Sequence, residues 1–421
     1  MTKITKCMAN KLLATTYEYH ILLDSFATKS LNMDSRFKSF NETFPRCAFA
    51  LAFALIYPNS YNLKKRLYYF IVVIFINSLI LYWFLLYLFR CLVTLDLINF
   101  ANNITIGVLA TLFFFKTPYC LYKTNIFAKV LDKIFYDMLK GNDMDEECQE
   151  IYEHFIKIGK LGQTCWILIP ILLSSQFPLY ASFCMIYEIF TSEGKRYMVH
   201  EMRLKHIENK QDEAPYFELV FAYNLIQCVV LSVNFVGFDG SFCIATTHLR
   251  LKLKLVSHKI QRAFRDSKNR DELEIRVIEA IVEHQDALDF YKDVQEVYGG
   301  WLFVVFLLTS LLISFNIYQI YLSRRVDPKY TLFAISGVIH MFAPCYFACK
   351  LIKSSEELSW DIYSAAWEEW TDPVITKLLI FMIAKSQQIL ILTGKGMVQF
   401  DMQLFISVLQ TSYSFFTLIT S

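Results

Sequence analysis

The sequence predicts an all-α membrane protein of seven transmembrane helices, with a cytoplasmic N-terminus, an extracellular C-terminus and helical extensions on the cytoplasmic side. Three observations carry that reading. Of the 421 residues, 55% are hydrophobic, 16% aromatic and only 19% charged, against about 25% charged in an average soluble domain. The apolar residues fall in runs, and Leu67 to Phe89, bounded by Arg66 and Arg90, carries no charge over a length sufficient to cross about 30 Å of hydrocarbon. Basic residues sit asymmetrically about that run, with Lys64, Lys65 and Arg66 before it and Arg90 alone after it, which keeps the preceding tail inside. The same composition excludes a disordered chain, a nucleic-acid binder, a secreted disulfide scaffold and a soluble enzyme, because 41 basic and 39 acidic residues leave no strong net field.

In chain order, residues 1–66 form the cytoplasmic tail. Met1 to Arg66 holds ten Lys or Arg against four Asp or Glu, and no hydrophobic core follows the first basic residues, so no signal peptide is predicted. Ala48 to Tyr57 is too short to span and reads as an interfacial dip or re-entrant segment. After Leu67–Phe89, further spans are predicted at Leu97–Phe115, Leu161–Tyr187, Tyr216–Thr247, Gly299–Leu322, Thr331–Ile352 and Met397–Ile419. Residues 67–352 thus hold spans one to six, 353–396 a cytoplasmic anchor and 397–421 the last span. An odd number of spans puts the termini on opposite sides, and Arg324, Arg325 and Lys329 then fall on the outer face, against the positive-inside rule. Lys116–Lys160 and His248–Tyr298 are cytoplasmic connections. The large outer connection, Glu188–Pro215, is rich in both charge signs and reads as a mobile or lid-like loop.

The cytoplasmic segments read as helical. Ile278, Ile281, Leu288, Tyr291 and Tyr298 recur at helical spacing and predict one apolar stripe running into span five. His284 lies on that stripe, where a proton or metal role competes with the favoured reading of a packing histidine. After span six, Ser354 and Glu357 form a capping box that predicts a helix start. Trp360, Tyr363, Trp367 and Trp370 then follow at i, i+3, i+7 and i+10, a stripe suited either to the membrane interface or to another cytoplasmic helix. Cys345 and Cys349, one helical turn apart, lack further ligands nearby and read as small apolar residues rather than a metal site. The eleven cysteines hold no Cys-x-x-Cys pair. The acidic run Asp143, Asp145, Glu146, Glu147 and Glu150 lacks calcium-loop spacing and reads as a solvated surface.

No phosphate loop, His-Glu-x-x-His pair, nucleophile elbow or paired-carboxylate constellation is present, so neither an enzyme nor a cofactor is predicted. The last span differs from the others: Thr411, Ser414, Leu418 and Ser421 share one helical face that is polar except for the leucine. Such a face suits a water-lined pore with Leu418 as a hydrophobic constriction. Periodicity alone favours the plainer reading, in which Ser and Thr bond their own helix and let neighbours approach.

Thr411-Ser412-Tyr413-Ser414-Phe415-Phe416-Thr417-Leu418 closely resembles the C-terminal signature of insect odorant receptors. Weaker marks accompany it in order: Pro215-Tyr216 with Tyr223 and Gln227, Asp239, His248, His284, Ser355, Tyr363, Trp367, and Lys385-Ser386-Gln387-Gln388, which departs from the family's usual Arg-Ser-Gln-Lys-Pro. The resemblance covers the chain from about Pro215 to its end; the first two hundred residues match in span layout only. It implies a tuning subunit of an odorant-gated, non-selective cation channel in the plasma membrane of sensory-neuron dendrites. A common co-receptor subunit would complete a heterotetramer, its connection between spans four and five being much longer than His248–Tyr298. It also implies a pore lined by Thr411, Ser414, Leu418 and Ser421, and an anchor involving His284, Tyr363, Trp367 and Lys385. A closed apolar pocket for a small neutral volatile would lie in the outer half of the bundle. Its candidate walls are Phe100 and Asn103 on span two, Tyr180, Phe183 and Tyr187 on span three, Phe217 and Phe221 on span four, and Phe333, Ser336 and His340 on span six. Among alternatives, a gustatory-receptor-type channel subunit lacks its usual C-terminal mark. A G-protein-coupled receptor would need opposite sidedness. A transporter usually shows inverted repeats and intramembrane charges, and neither stands out.

Overall fold

The computed structural model describes residues 36–54, 56, 63–191, 196–200, 202–323, 328–370 and 372–420. The chain divides into two units, Met1–Lys38 and Ser39–Ser421, and the second contains every element named below. Its longer helices are α1 (Pro45–Phe53), α2 (Leu63–Val93), α3 (Leu97–Tyr122), α4 (Thr124–Gly141), α5 (Glu146–Thr191), α6 (Tyr216–Asp266), α7 (Arg270–Ser323), α8 (Pro328–Tyr363), α9 (Pro373–Ser386) and α10 (Met402–Thr420). A two-stranded hairpin, β1 (Thr393–Gly394) with β2 (Val398–Gln399), precedes α10. Stretches of α2, α3, α5, α7 and α8 are long and apolar enough to cross a membrane, and Tyr216–Val230 in α6 is a shorter apolar stretch. The fold is that of a helical membrane protein.

Most predicted spans are portions of much longer helices. α6 and α7 run for 51 and 54 residues and are joined only by Ser267–Asn269. They continue past the apolar stretch because their polar halves also find buried partners. α6 is the central helix: every residue from Val236 to Leu249 is buried, as expected of a helix covered on all sides. α1 packs on it at Gly237, where a Cβ would stand 2.9 Å from the Leu51 backbone nitrogen. Only glycine permits that approach. Asp96 caps α3, accepting from Asn99 N at 3.2 Å, and Asp372 caps α9, accepting from Val374 N at 2.8 Å and Ile375 N at 3.0 Å.

Four local expectations are corrected. Ser354 and Glu357 do not start a helix, because α8 runs unbroken from Pro328 to Tyr363; the Ser354 hydroxyl instead accepts from Arg250 Nε at 3.2 Å. The aromatic stripe also breaks there. Ala366 adopts a left-handed φ of 51°, and Trp367 turns back so that its Nε1 donates to the Tyr363 carbonyl at 3.0 Å. On α7 the fully buried stripe is Leu273, Val277, Ala280, Ala287, Phe290, Val294 and Val297. It lies about one residue round from the predicted one, whose Ile278, Ile281, Leu288 and Tyr291 are half-buried, while its Tyr298 is fully buried. The small alanines allow close helix packing that a search for large side chains overlooks. Finally, the described part of Glu188–Pro215 is folded rather than loose: Gln211 is buried, donates to Met202 O at 3.0 Å and accepts from Leu204 N at 2.9 Å. Met202 and Leu204 pack with Phe84 and Leu88. Arg324 and Arg325 lie outside the described residues.

Candidate ligand cavity, last helix and anchor

At the crossing of α3, α5, α6, α7 and α8 lies a cavity of about 60 Å³. Its apolar walls are Ile106, Leu109 and Leu112 of α3, Pro170 and Phe177 of α5, Cys228 of α6 and Leu312 of α7. Its polar groups are Ser174, Ser232, Thr309, His340 and, from the connection after α5, His200. Ser174 and Ser232 share a hydrogen bond across it, and Thr309 Oγ1 lies 3.3 Å from His340 Nδ1. A second cavity of about 200 Å³, bounded by α5 and residues 196–212, shares Phe177 and His200 with the first. The two rings meet edge to face, 5.6 Å apart.

Of the predicted pocket residues, His340 lines the inner cavity. Phe333 is buried behind it, its ring 5.5 Å from Phe177. Ser336 is buried and donates to the Leu332 carbonyl at 2.8 Å. Tyr180 lines the outer cavity. Phe100 packs against the Phe84, Leu88, Met202 and Leu204 cluster. Asn103 is buried and donates to Asn99 O at 2.8 Å. Phe217 stacks on Phe221 at 5.8 Å, beneath the Arg196 guanidinium. Phe183 and Tyr187 are 68% and 61% exposed, on the outward face of α5. Its inward face is Phe177, Ala181 and Glu188. Aromatic side chains suit lipid contact as well as pockets, and these two line neither cavity. The signal that marks the cavity is different: small hydroxyl residues beside bulky ones, as in Ser174 with Phe177 and Thr309 with Leu312.

The structure also pairs two buried charges that do not stand out in the sequence. Lys116 of α3 and Asp239 of α6 form an ion pair at 2.9 Å, with side chains 0% and 5% exposed. The predicted span ends at Phe115 and Lys116 opens the predicted connection, whereas α3 continues to Tyr122 through Pro118.

On α10, Val408 and Ser412 are buried, and Ser412 donates to the Ser310 carbonyl of α7 at 3.2 Å. Thr411 and Ser414 are exposed, as is Leu418 at 73%, so this single chain leaves the predicted face uncovered. Ser421 lies outside the described residues.

In the anchor region, His284 is buried. Burial, reinforced by the nearby Lys385 charge, pushes its pKa down to about 4. Lys385 itself is exposed and donates to Gln388 Oε1, while Tyr363 is exposed beside Trp360 and Trp367. A charge network missed by sequence reasoning pins α4, α6 and α7 together. Asp137 accepts from Lys252 at 2.9 Å, pairs with His248 Nε2 at 2.9 Å, and meets Lys133 at 3.1 Å. Burial opposes ionisation of Asp137, but Lys252, His248 and Lys133 outweigh it and hold the carboxyl well below its usual range. Glu283 behaves likewise: against burial, Lys140 and Lys259 pull it down to about 2. The hairpin closes the region, with Gln295 of α7 donating to Thr393 O and accepting from Thr393 N, both at 2.8 Å.

The sequence profile of the family described as 7tm Odorant receptor matches residues 96–413. Odorant receptor 10 of Aedes albopictus is 22% identical over 334 residues, covering 76% of this chain and 84% of that protein. Odorant receptor 46a, isoform A, of Drosophila melanogaster is 26% identical over 215 residues, covering 49% of this chain and 55% of that protein. The structure of the olfactory receptor OR5 from Machilis hrabei in complex with eugenol superposes with a TM-score of 0.74 at 13% identity, over 90% of this chain and 98% of that one.

Proposed function

Because this chain belongs to the odorant receptor family, we propose that it is the odorant-binding tuning subunit of a heteromeric, ligand-gated, non-selective cation channel. The observation that carries this reading is the largely apolar cavity at the crossing of five helices, with two histidines and three hydroxyls as its polar groups. That composition suits a small neutral volatile bound by burial and oriented by one or two hydrogen bonds. The binding residues in this reading are Phe177, Thr309, His340 and their neighbours on the cavity wall, with Phe333 as a supporting layer. On the same reading α2, α3, α5, α6, α7, α8 and α10 provide seven membrane crossings, residues 196–215 face outward, and the Asp137 network and hairpin lie in the cytosol of a sensory dendrite.

The exposed Thr411, Ser414 and Leu418 face supports a pore-lining role for α10 in an assembly with co-receptor subunits. A short turn, Ser267–Asn269, between α6 and α7 supports the tuning rather than the co-receptor assignment. The test is patch-clamp recording from cells expressing this chain with an insect odorant co-receptor during pulses of a broad odorant panel. Odorant-evoked cation current that requires both chains supports the reading. Current from the co-receptor alone, or none with both chains at the surface, overturns it.

A further inference from the structure

The ion pair and the cavity meet at one ring. Lys116 and Asp239 come from α3 and α6, and the Lys116 ammonium also lies 4.6 Å above the Trp301 ring. Charges inside hydrocarbon are costly unless paired, so such a pair within apolar helices marks a functional element. The free carboxylate oxygen, Asp239 Oδ2, stands 3.6 Å from Nε2 of His340. The imidazole is further held by Trp166, whose ring lies 5.4 Å away. Its other nitrogen, Nδ1, is the one beside Thr309 Oγ1, and both residues line the cavity.

We propose that Asp239, fixed by Lys116, is a positioning residue for His340 and thereby selects alcohols and phenols as ligands. The proposal rests on the ligand-gated reading above. A carboxylate facing Nε2 requires the ring proton there, since two lone pairs would otherwise oppose each other. The same logic fixes the tautomer of a metal-bound histidine through its outer partner. Nδ1 is then an acceptor, and the Thr309 hydroxyl beside it is a donor. A ligand hydroxyl satisfies both, donating to Nδ1 and accepting from Thr309. A carbonyl ligand that accepts from Thr309 takes its proton away from Nδ1 and leaves that nitrogen without a donor, whereas a hydrocarbon leaves the Thr309–His340 hydrogen bond in place and gains none. An unmet buried group is the penalty on which such discrimination rests.

The probes are two series of matched shape: hexan-1-ol, hexanal and hexane, and benzyl alcohol, benzaldehyde and toluene, applied to cells expressing the chain with its co-receptor. In each series the alcohol is expected to be the most potent, by about tenfold over the carbonyl compound, the worth of one hydrogen bond. Asp239→Asn presents an amide N–H to Nε2, moves the ring proton to Nδ1 and is expected to reverse the order in favour of the aldehyde. Because that change strands Lys116, the paired variant Lys116→Met with Asp239→Asn removes both charges and is expected to lose the alcohol preference. Thr309→Val, nearly isosteric and uncharged, is expected to shrink the difference within each series. A purely structural role would lower every response alike without changing rank order. Equal potency of alcohol and carbonyl in the unmodified channel, or an unchanged order in Thr309→Val and the paired variant, overturns the proposal. Absence of current with any compound from any panel overturns the channel reading instead, and this proposal with it.

Discussion

His284 and Asp137 show how a single buried group sets a pH limit. A histidine whose folded pKa lies at about 4 is held neutral by the fold, whereas the unfolded chain takes up a proton near its usual value of about 6.5. The unfolded state therefore binds more protons as pH falls below that value, and stability declines between there and 4. The carboxyls act lower down. Asp137 and Glu283, both depressed, contribute stability that is complete above the ordinary carboxylate range and is lost as pH falls through it toward about 2. Thermal unfolding of detergent-solubilised protein should thus show a first decline between about pH 6.5 and 4, and His284→Gln should flatten that limb without altering the lower one. An identical slope in the variant would remove His284 as its cause. At Gly237, a leucine side chain would press on the Leu51 backbone at the α1 crossing. Gly237→Leu is expected to destabilise by about 1–3 kcal/mol, in keeping with overpacked cores, and the same thermal scan reads it. An unchanged midpoint would show that α1 can move away at no cost.

Among the elements, α10 is the one that the proposed function ties to gating. Its buried side rests on α7 through Ser412, and its uncovered side carries Thr411, Ser414 and Leu418. Leu418→Ala is expected to raise basal current in cells co-expressing the co-receptor, because a smaller side chain weakens a dewetted constriction. Leu418→Trp is expected to reduce the odorant-evoked current. Cysteines placed singly at Thr411, Ser414 and Leu418 should be blocked by a charged thiol reagent applied from outside, and one at Ser412 should not. Equal reactivity at all four positions would assign the face to packing. The periodicity of this face was visible in the chain, whereas its exposure required knowing which side α7 occupies. The hairpin was less legible. Thr393–Gln399 carries no long alternating run, and its conformation depends on Gln295, about one hundred positions earlier, and on positive φ values at Lys395 and Gly396.

For the molecule as a whole, hydropathy located the apolar stretches of α2, α3, α5, α7 and α8, because a hydrocarbon crossing demands a long uncharged run. They could not locate the ends of α6, α7 and α8, where polar residues remain helical by packing on one another rather than by meeting lipid. The cavity was legible only in its general region. Its walls depend on which faces converge, so His340 was found among the aromatics while Thr309 and Ser174 were passed over. Sidedness has its own test. Asn41-Glu42-Thr43 is a glycosylation sequon, and on the proposed topology Asn41 remains unmodified. A glycosidase-sensitive mass shift that Asn41→Gln abolishes would invert the assignment.

α7, with 54 residues, is a rod of about 80 Å at about 1.5 Å per residue. Contacts hold it along its length: Arg270 donates to Asp372 at one end, Gln319 to Asn102 at 3.1 Å near the other, and at the middle Tyr119 donates to Val297 O at 2.8 Å, Gln295 clamps Thr393, and Lys395 N donates to Gly299 O at 3.2 Å. Its midpoint lies near Val297. A tilt of only about 5° about that point would carry each end through roughly 3–4 Å, given the rise per residue. That swing exceeds half the spacing between helical turns, and it moves the two ends in opposite directions.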